Sequence, residues 1–185
     1  MKPFIVYLIK FIGAFCMLYF GTKAVIGLTV PGNYYNGFIA GHLNYPALLR
    51  NALLQGTRLL AILFGFDAFI RDAYHVAVVN GRAVRLVYAC LGYGLLSFWS
   101  AFIFANNGSF LKKLKWIIAG CAVIWFINVI RITLVLIAAN QHWKFPMAME
   151  QHTLYNVIAY ASIFFMIWLF HQSEKPPSPK GEFFE

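Results

Sequence analysis

Long apolar runs with few or no charges alternate with short polar segments along most of this chain. Four of these runs predict membrane-spanning helices, at residues 4–30, 91–107, 116–138 and 153–171. The first run ends at Pro31-Gly32-Asn33, a helix-breaking sequence, and no obvious small-residue cleavage site precedes it. We therefore expect residues 1–31 to form a retained N-terminal transmembrane anchor, and the chain to contain about four transmembrane helices.

Two segments between the first and second apolar runs show other patterns. In residues 46–71 four polar side chains recur at helical spacing, which favours a helix lying in the membrane interface over one that spans; they are Arg50, Asn51, Gln55 and Arg58. In residues 74–90 two stretches rich in β-branched residues flank Asn80-Gly81. That dipeptide is typical of a type I′ turn and predicts a β-hairpin.

Composition fixes the broad class of the protein. The 185 residues are 61% hydrophobic and only 11% charged, whereas a soluble domain carries about 25% charged residues. The sequence therefore predicts an all-α integral membrane helical bundle with an interfacial helix and a small external β-hairpin. The net charge of +9 comes from scattered or span-flanking residues, which argues against nucleic-acid binding and favours anionic lipid head groups as the counter-charge.

Charge in the short loops predicts the orientation in the membrane. The segment 108–115 carries three lysines and the segment 140–152 carries one, which places 108–115 and both termini in the cytoplasm. Five arginines in residues 50–85 lie on the other side, but long external segments follow the charge rule less strictly. We expect a cell inner-membrane protein with a membrane domain at 32–173 and a disordered cytoplasmic tail at 174–185.

Arg131 is the most informative polar residue, because it lies inside a predicted span. A charge there costs about 2.5–3.5 kcal/mol and is usually functional or paired. A structural arginine that binds a helix C-terminus or a lipid phosphate is the alternative. Asn128 lies three residues earlier on the same helical face, where it can orient the guanidinium or make a helix–helix hydrogen bond.

Cys90 and His152 begin the second and last predicted spans. Cys90 is expected where a strand becomes a helix, and the N–H groups of a helix N-terminus favour a thiolate. Gly92 leaves room for another backbone to approach. A small buried cysteine and an interfacial histidine are the structural alternatives, and His142 is as acceptable chemically as His152.

The other cysteines suggest neither a disulfide nor a cofactor. Cys16 and Cys121 lie inside apolar runs and are expected to be packing residues, and the chain has no C-x-x-C pair. A thiol oxidoreductase is disfavoured for that reason. A zinc site built on Cys90 and histidines lacks any paired ligand spacing, so we expect no metal and no cofactor.

Three sequence features together resemble the exosortase/archaeosortase family of multi-pass membrane proteins from bacteria and archaea. They are Ala89-Cys90-Leu91-Gly92, Asn128-Val129-Ile130-Arg131-Ile132, and His152 at the head of the last span. The resemblance covers roughly residues 46–171. It departs from the family in having Leu91 where serine or threonine is common, and in its short length.

The resemblance implies a membrane-embedded cysteine protease or transpeptidase. Such enzymes cleave C-terminal sorting signals of exported proteins, made of a short motif, a transmembrane helix and a basic tail, and transfer the protein to an acceptor. It implies Cys90 as nucleophile, Arg131 as oxyanion-stabilising cation and His152 as general acid/base, with Asn128 and Gly92 in support. The expected partners are these exported substrates and membrane lipids, with the site facing the periplasm or exterior.

A second class of function is compatible with the same residues. In it the chain is a non-catalytic membrane scaffold, or an assembly subunit of an export or surface-polymer system. Arg131 would then pair with a partner helix, and Cys90 would have no chemical role. The small size of the chain and Leu91 are the features that favour this alternative.

Overall fold

The computed structural model describes residues 2–30, 34–141 and 151–174, with side chains for 3–30, 34–141 and 157–173. Its elements in chain order are the helices α1 (Lys2–Thr29), α2 (Gly37–His42) and α3 (Tyr45–Leu63), the strands β1 (Ala68–Asp72), β2 (His75–Val78) and β3 (Ala83–Arg85), a 3₁₀ turn at Tyr88–Leu91, and the helices α4 (Tyr93–Ala105), α5 (Phe110–Gln141) and α6 (Gln151–Glu174). Residues 1–148 and 149–185 form separate units.

The prediction of an α-helical membrane protein agrees with these elements. Among the residues that the structure describes, three segments are long and apolar enough to cross a membrane, namely Pro3–Thr29, Tyr88–Ala105 and Phe110–Gln141. The helices at the second and third predicted spans differ in extent from the prediction, since α4 is shorter than 91–107 and α5 extends beyond 116–138 at both ends. With 32 residues, α5 is about 48 Å long and exceeds the ~30 Å hydrocarbon core.

Aromatic contacts pack α1 antiparallel to α4. The rings of Phe11 and Phe98 meet edge to face with centroids 5.4 Å apart, and Tyr19 and Tyr93 are also 5.4 Å apart. The N-terminal half of α1 therefore lies beside the C-terminal half of α4. This places the start of α1 and the loop after α4 at one end of the bundle.

A single tryptophan sets the spacing of α4 and α5. Trp99 is fully buried and its indole Nε1–H donates to the carbonyl of Trp116 at 3.0 Å. Its ring lies directly against Gly120, where an added Cβ would collide with the indole. The two helices are thus antiparallel neighbours, and the start of α4 lies at the same end as the last turns of α5.

The third helix is shorter than the predicted interfacial helix at 46–71. Asn44 caps its start by accepting a hydrogen bond from the Ala47 N–H, with Pro46 in the first turn. The helix ends at Leu63, and Gly65 has φ 84°, a left-handed conformation that turns the chain away. Residues Ala68–Asp72 are a β-strand, so the C-terminal part of the predicted helix is wrong.

The predicted hairpin at 74–90 is part of a three-stranded antiparallel sheet in the order β1-β2-β3. Only β2 and β3 correspond to the prediction, paired at Val76 and Val84. Asn80 has φ 56° but Gly81 does not have a positive φ, so the turn is not the expected type I′ turn. The strand β1 was not predicted from the sequence, because Phe69 and Ile70 continue the apolar pattern of α3.

One asparagine fastens the sheet to the end of α5. The Arg82 N–H donates to Asn140 Oδ1 at 2.6 Å, and Asn140 Nδ2 donates to the Arg82 carbonyl at 3.3 Å. Behind this contact lies a core shared by α3, the sheet, the 3₁₀ turn and α5; its buried members include Leu53, Leu54, Val76, Leu86, Leu91, Ile132 and Leu136. The sheet therefore lies at the end where α4 begins, termed here the Cys90 end.

The last predicted span is helical. In α6 the rings of Phe165 and Trp168 stack at 5.8 Å, and the Ser162 hydroxyl donates to the Ile158 carbonyl at 2.8 Å. The segment before it, including His142, and most of the predicted tail at 174–185 lie outside the described residues.

Candidate active site

Cys90 lies in the 3₁₀ turn Tyr88–Leu91, termed here the Cys90 turn, and is half-buried. Its N–H donates to the Val87 carbonyl at 2.8 Å. The next helix, α4, begins at Tyr93 with Gly92 as its N-cap. Cys90 therefore lies between β3 and α4, where a strand-to-helix junction was expected, but two residues before the N-cap of the helix. The helix N-terminus is nearby, but its free N–H groups belong to later residues.

Gly92 brings α5 against this turn. Its φ of 70° is left-handed, and an added Cβ would collide with Nδ2 of Asn128. The Asn128 side chain is 6% exposed, and its Nδ2 has no hydrogen-bond partner. A buried amide donor thus lies against Gly92, which is two residues after the cysteine. An unsatisfied buried donor is unfavourable by about 1–3 kcal/mol, so an acceptor atom of a ligand placed here would be stabilised.

Arg131 lies one turn beyond Asn128 on α5 and is half-buried. It is ten residues before the end of that helix, which corresponds to about 15 Å. The antiparallel pairing of α4 and α5 runs through Ser100 and Cys121, whose Oγ and Sγ are 3.8 Å apart, to Gly92 and Asn128. This register places the start of α4 beside Asn128, one turn before Arg131.

His152 is the second residue of α6, but its side chain lies outside the described residues. It also belongs to the other unit of the chain. The structure thus brings Gly92 and Asn128 together, and places Cys90 and Arg131 on the adjoining turn and helix. The predicted convergence of His152 on that position stays a prediction.

No family model, no curated protein and no solved structure matches this chain. The exosortase resemblance therefore depends on the residues that carry it. Leu91, the departure from the family pattern, is 1% exposed and belongs to the shared core. Within the described residues no group of three histidine, cysteine or acidic side chains could hold a metal ion.

Arg50 is the functional candidate that sequence reasoning missed. We predicted it on the polar face of the interfacial helix, but it is only 8% exposed, while Asn51, Gln55 and Arg58 are indeed exposed. Its Cζ lies 3.9 Å from the centre of the Tyr74 ring. A signal was present, since Arg50 lies in the middle of the helical face formed by the buried residues Pro46, Leu53, Leu54, Thr57 and Ala61.

Buried polar atoms without hydrogen-bond partners occur in α3 and α5, and two of them, on Arg50 and Asn128, belong to residues that lie against the Cys90 turn or the glycine after it. Among the described side chains, four have a buried polar atom without a partner, at Arg50 Nε, Thr57 Oγ1, Trp125 Nε1 and Asn128 Nδ2. Three of these atoms can only donate, and all four belong to α3 or α5. The pKa of Tyr74 is lowered, chiefly by its hydrogen bond with Tyr88 and further by the charge of Arg50. Burial raises the pKa of the neighbouring Tyr88, so the pKa values of the two phenols shift in opposite directions.

Proposed function

We propose that this protein is a membrane-embedded cysteine peptidase or transpeptidase that cleaves C-terminal sorting signals of exported proteins. The observation that carries the proposal is the contact between Gly92 and Asn128, which joins the Cys90 turn to the helix that bears Arg131. A thiol, a buried amide donor and a guanidinium thus belong to adjoining elements. Nucleophile and oxyanion donors of this kind are what acyl transfer to a thiol requires.

The chemistry follows from these groups. The Cys90 thiolate attacks the carbonyl carbon of the scissile peptide bond, and the carbonyl electron pair moves to oxygen. Arg131 stabilises this oxyanion, with Asn128 Nδ2 as an additional donor, in a site shielded from bulk water. When the tetrahedral intermediate collapses, the C–N bond breaks and the amine leaves with a proton from His152. An acceptor amine or water then attacks the thioester and releases the thiolate.

Charge distribution supports an outward-facing site in the inner membrane. Lys112, Lys113 and Lys115 follow the loop between α4 and α5, and Lys113 Nζ donates to the Phe104 carbonyl at 3.0 Å. By the positive-inside rule this end faces the cytoplasm. The Cys90 end then faces the periplasm or exterior, where exported substrates arrive. In this arrangement α6 supplies the fourth span.

The decisive test is processing of an exported protein in cells. The probe is a protein of the same cell that ends in a short motif, an apolar helix and a basic cluster. Cys90→Ala is expected to abolish its cleavage, whereas Cys16→Ala and Cys121→Ala, at half-buried positions within α1 and α5, are expected to leave it intact. Mass spectrometry of the wild-type protein should detect a thioester on Cys90. Full cleavage by Cys90→Ala would reject the proposal.

The burial of Leu91 favours one competing function, a non-catalytic scaffold. At 1% exposure this side chain makes the Cys90 turn part of the core, which is enough to account for the turn without catalysis. For a scaffold, Arg131→Ala would abolish association with a partner helix and Cys90→Ser would have no effect. For the enzyme, Cys90→Ser would be inactive but still expressed and assembled.

A further inference from the structure

The side chain of Arg50 links three separate elements next to the Cys90 turn. Its guanidinium stacks on Tyr74, in the turn between β1 and β2, with Cζ 3.9 Å from the ring centre. Its Nη1 donates to the Tyr88 hydroxyl at 3.2 Å. The Tyr74 and Tyr88 rings meet edge to face with centroids 6.4 Å apart. The buried guanidinium of Arg50 thereby contacts both rings of the Tyr74–Tyr88 pair.

Burial of the Arg50 charge is unfavourable in free energy, so its position in the core needs a physical explanation. Arg50 is 8% exposed, and its Nε is buried without a partner. Neither Asp67 nor Asp72, the acidic residues whose side chains the structure describes, forms an ion pair with it. An uncompensated buried charge is unfavourable by several kcal/mol, and an apolar residue would suit the middle of this helix face better. Packing alone does not explain an arginine here.

The segment that Arg50 and Tyr74 hold leads directly into the nucleophile. The Tyr74 carbonyl accepts a hydrogen bond from the Leu86 N–H at 2.8 Å, and the Val87 carbonyl accepts one from the Cys90 N–H at 2.8 Å. Tyr88 begins the Cys90 turn. Residues 86–88 are therefore anchored through their backbone to the sheet and through the Tyr88 hydroxyl to α3.

We propose that Arg50 is a positioning residue for Cys90. Through Tyr88 and Tyr74 it sets the conformation of the Cys90 turn. It thereby sets the position of the Cys90 sulfur relative to Asn128 and Arg131 on α5. The kinetic consequence rests on the proposed function, but the effect on the turn does not. The planar guanidinium is essential, because it stacks on one ring while donating in its own plane to the other; a lysine ammonium cannot do both.

Two variants test this arrangement without removing bulk. Tyr88→Phe keeps the ring and deletes only the acceptor hydroxyl, and Arg50→Lys keeps the charge and deletes the planar group. Tyr45→Phe is the matched control for the first, because it deletes a phenol hydroxyl whose hydrogen bond, to Thr22 Oγ1 at 2.7 Å, joins α3 to α1 and not to the Cys90 turn. Arg58→Lys, on the exposed face of α3, is the control for the second.

Two readouts separate positioning from a merely structural role. For cleavage of the exported probe protein, both variants should lower kcat about tenfold or more with KM within about twofold of wild type, since misplacement affects the reacting atoms and not substrate binding. In detergent, maleimide alkylation of Cys90 should become about threefold faster as the turn loosens. Alkylation of Cys16 and Cys121 should stay unchanged, which shows that the bundle is intact.

Each outcome supports or overturns the inference. Wild-type kcat and Cys90 alkylation in both variants would overturn it, as would equal acceleration at all three cysteines, because that indicates general unfolding. If Cys90→Ala still processes the probe, the proposed function fails. The alkylation result then decides by itself whether Arg50 and Tyr88 set the conformation of the Cys90 turn.

Discussion

Asn128 occupies the space into which a side chain at residue 92 would project. The amide Nδ2 of Asn128 would collide with any Cβ on Gly92, whose φ of 70° also disfavours other residues. This contact lets α5 lie against the turn that carries Cys90. The relationship makes the conformations of Gly92, Asn128 and the Cys90 turn depend on one another, and it leads to the first two predictions.

Gly92→Ala is expected to be damaging for both of these reasons. A left-handed conformation costs an ordinary residue about 1–2 kcal/mol, and the methyl group must displace Asn128. We expect lower thermal stability and a processing rate reduced about tenfold or more. Gly94→Ala is the matched control, since the nearest atom to its added Cβ would be Tyr19 Cε2, at an ordinary contact distance of 3.7 Å. Equal behaviour of the two variants would contradict the inferred contact.

Asn128→Leu separates catalysis from stability. The replaced amide Nδ2 is buried without a partner, so an apolar residue of similar volume should change the free energy of unfolding by less than about 1 kcal/mol. Loss of an oxyanion donor should lower kcat about 100-fold. Chemical denaturation and single-turnover cleavage measure the two quantities. A variant that is fully active would remove Asn128 from the site.

Asn140→Ala should release the β2–β3 turn from α5. The variant loses both hydrogen bonds to the Arg82 backbone, each worth about 0.5–1.5 kcal/mol. Trypsin cleavage after Arg82 should therefore become about tenfold faster or more, while Asn51→Ala, on the exposed face of α3, should not alter it. Cleavage by trypsin added to spheroplasts would also show that the sheet faces outward. Cleavage only in inverted vesicles would reverse the proposed orientation.

Asp72 predicts a pH dependence confined to the β1–β2 turn. The Tyr74 N–H donates to its carboxylate at 2.7 Å, with His75 as a second partner, and these contacts lower the pKa of Asp72. Because the folded-state pKa is the lower one, the stabilisation is complete above the ordinary value of about 3.9 and is lost as pH falls through the folded value.

Hydrogen exchange of residues 68–78 measures this effect. Asp72→Asn should exchange faster than wild type at pH 6, and the ratio of the two rates should approach one as pH is lowered below about 3.9. The ratio cancels the intrinsic pH dependence of exchange. A ratio that is constant across this range would show that the carboxylate charge does not stabilise the turn.

The apolar runs predicted the helices well, because burial in lipid requires long uninterrupted stretches of nonpolar side chains. The end of α3 was not predicted, because the apolar sequence continues past it. Phe69 and Ile70 continue the apolar character of the helix, and only Gly65, with its positive φ, marks the change from helix to strand. A strand of five residues in β1 carries too few alternations to stand out without its partner β2.

Arg50 shows what a charge-based interpretation of a helix overlooks. Spacing grouped it with Asn51, Gln55 and Arg58, although its helical angle falls among the apolar residues that α3 buries. Only the packed structure, with Tyr74 on one side and Tyr88 on the other, shows how a charge can lie there. The contacts that accommodate the charge come from two aromatic residues distant in sequence, which the local sequence pattern of α3 does not contain.

By itself, the sequence determined the membrane character and the order of the apolar helices, and it supplied Cys90, Arg131 and His152 as candidates for the proposed acyl transfer. These properties depend on local composition and on spacing along one element. Tertiary structure alone decided that Cys90 precedes α4 in a 3₁₀ turn, that Asn128 meets Gly92, and that Arg50 lies inside the protein. Those facts arise from contacts between distant segments, whose geometry depends on how complete side chains fit together.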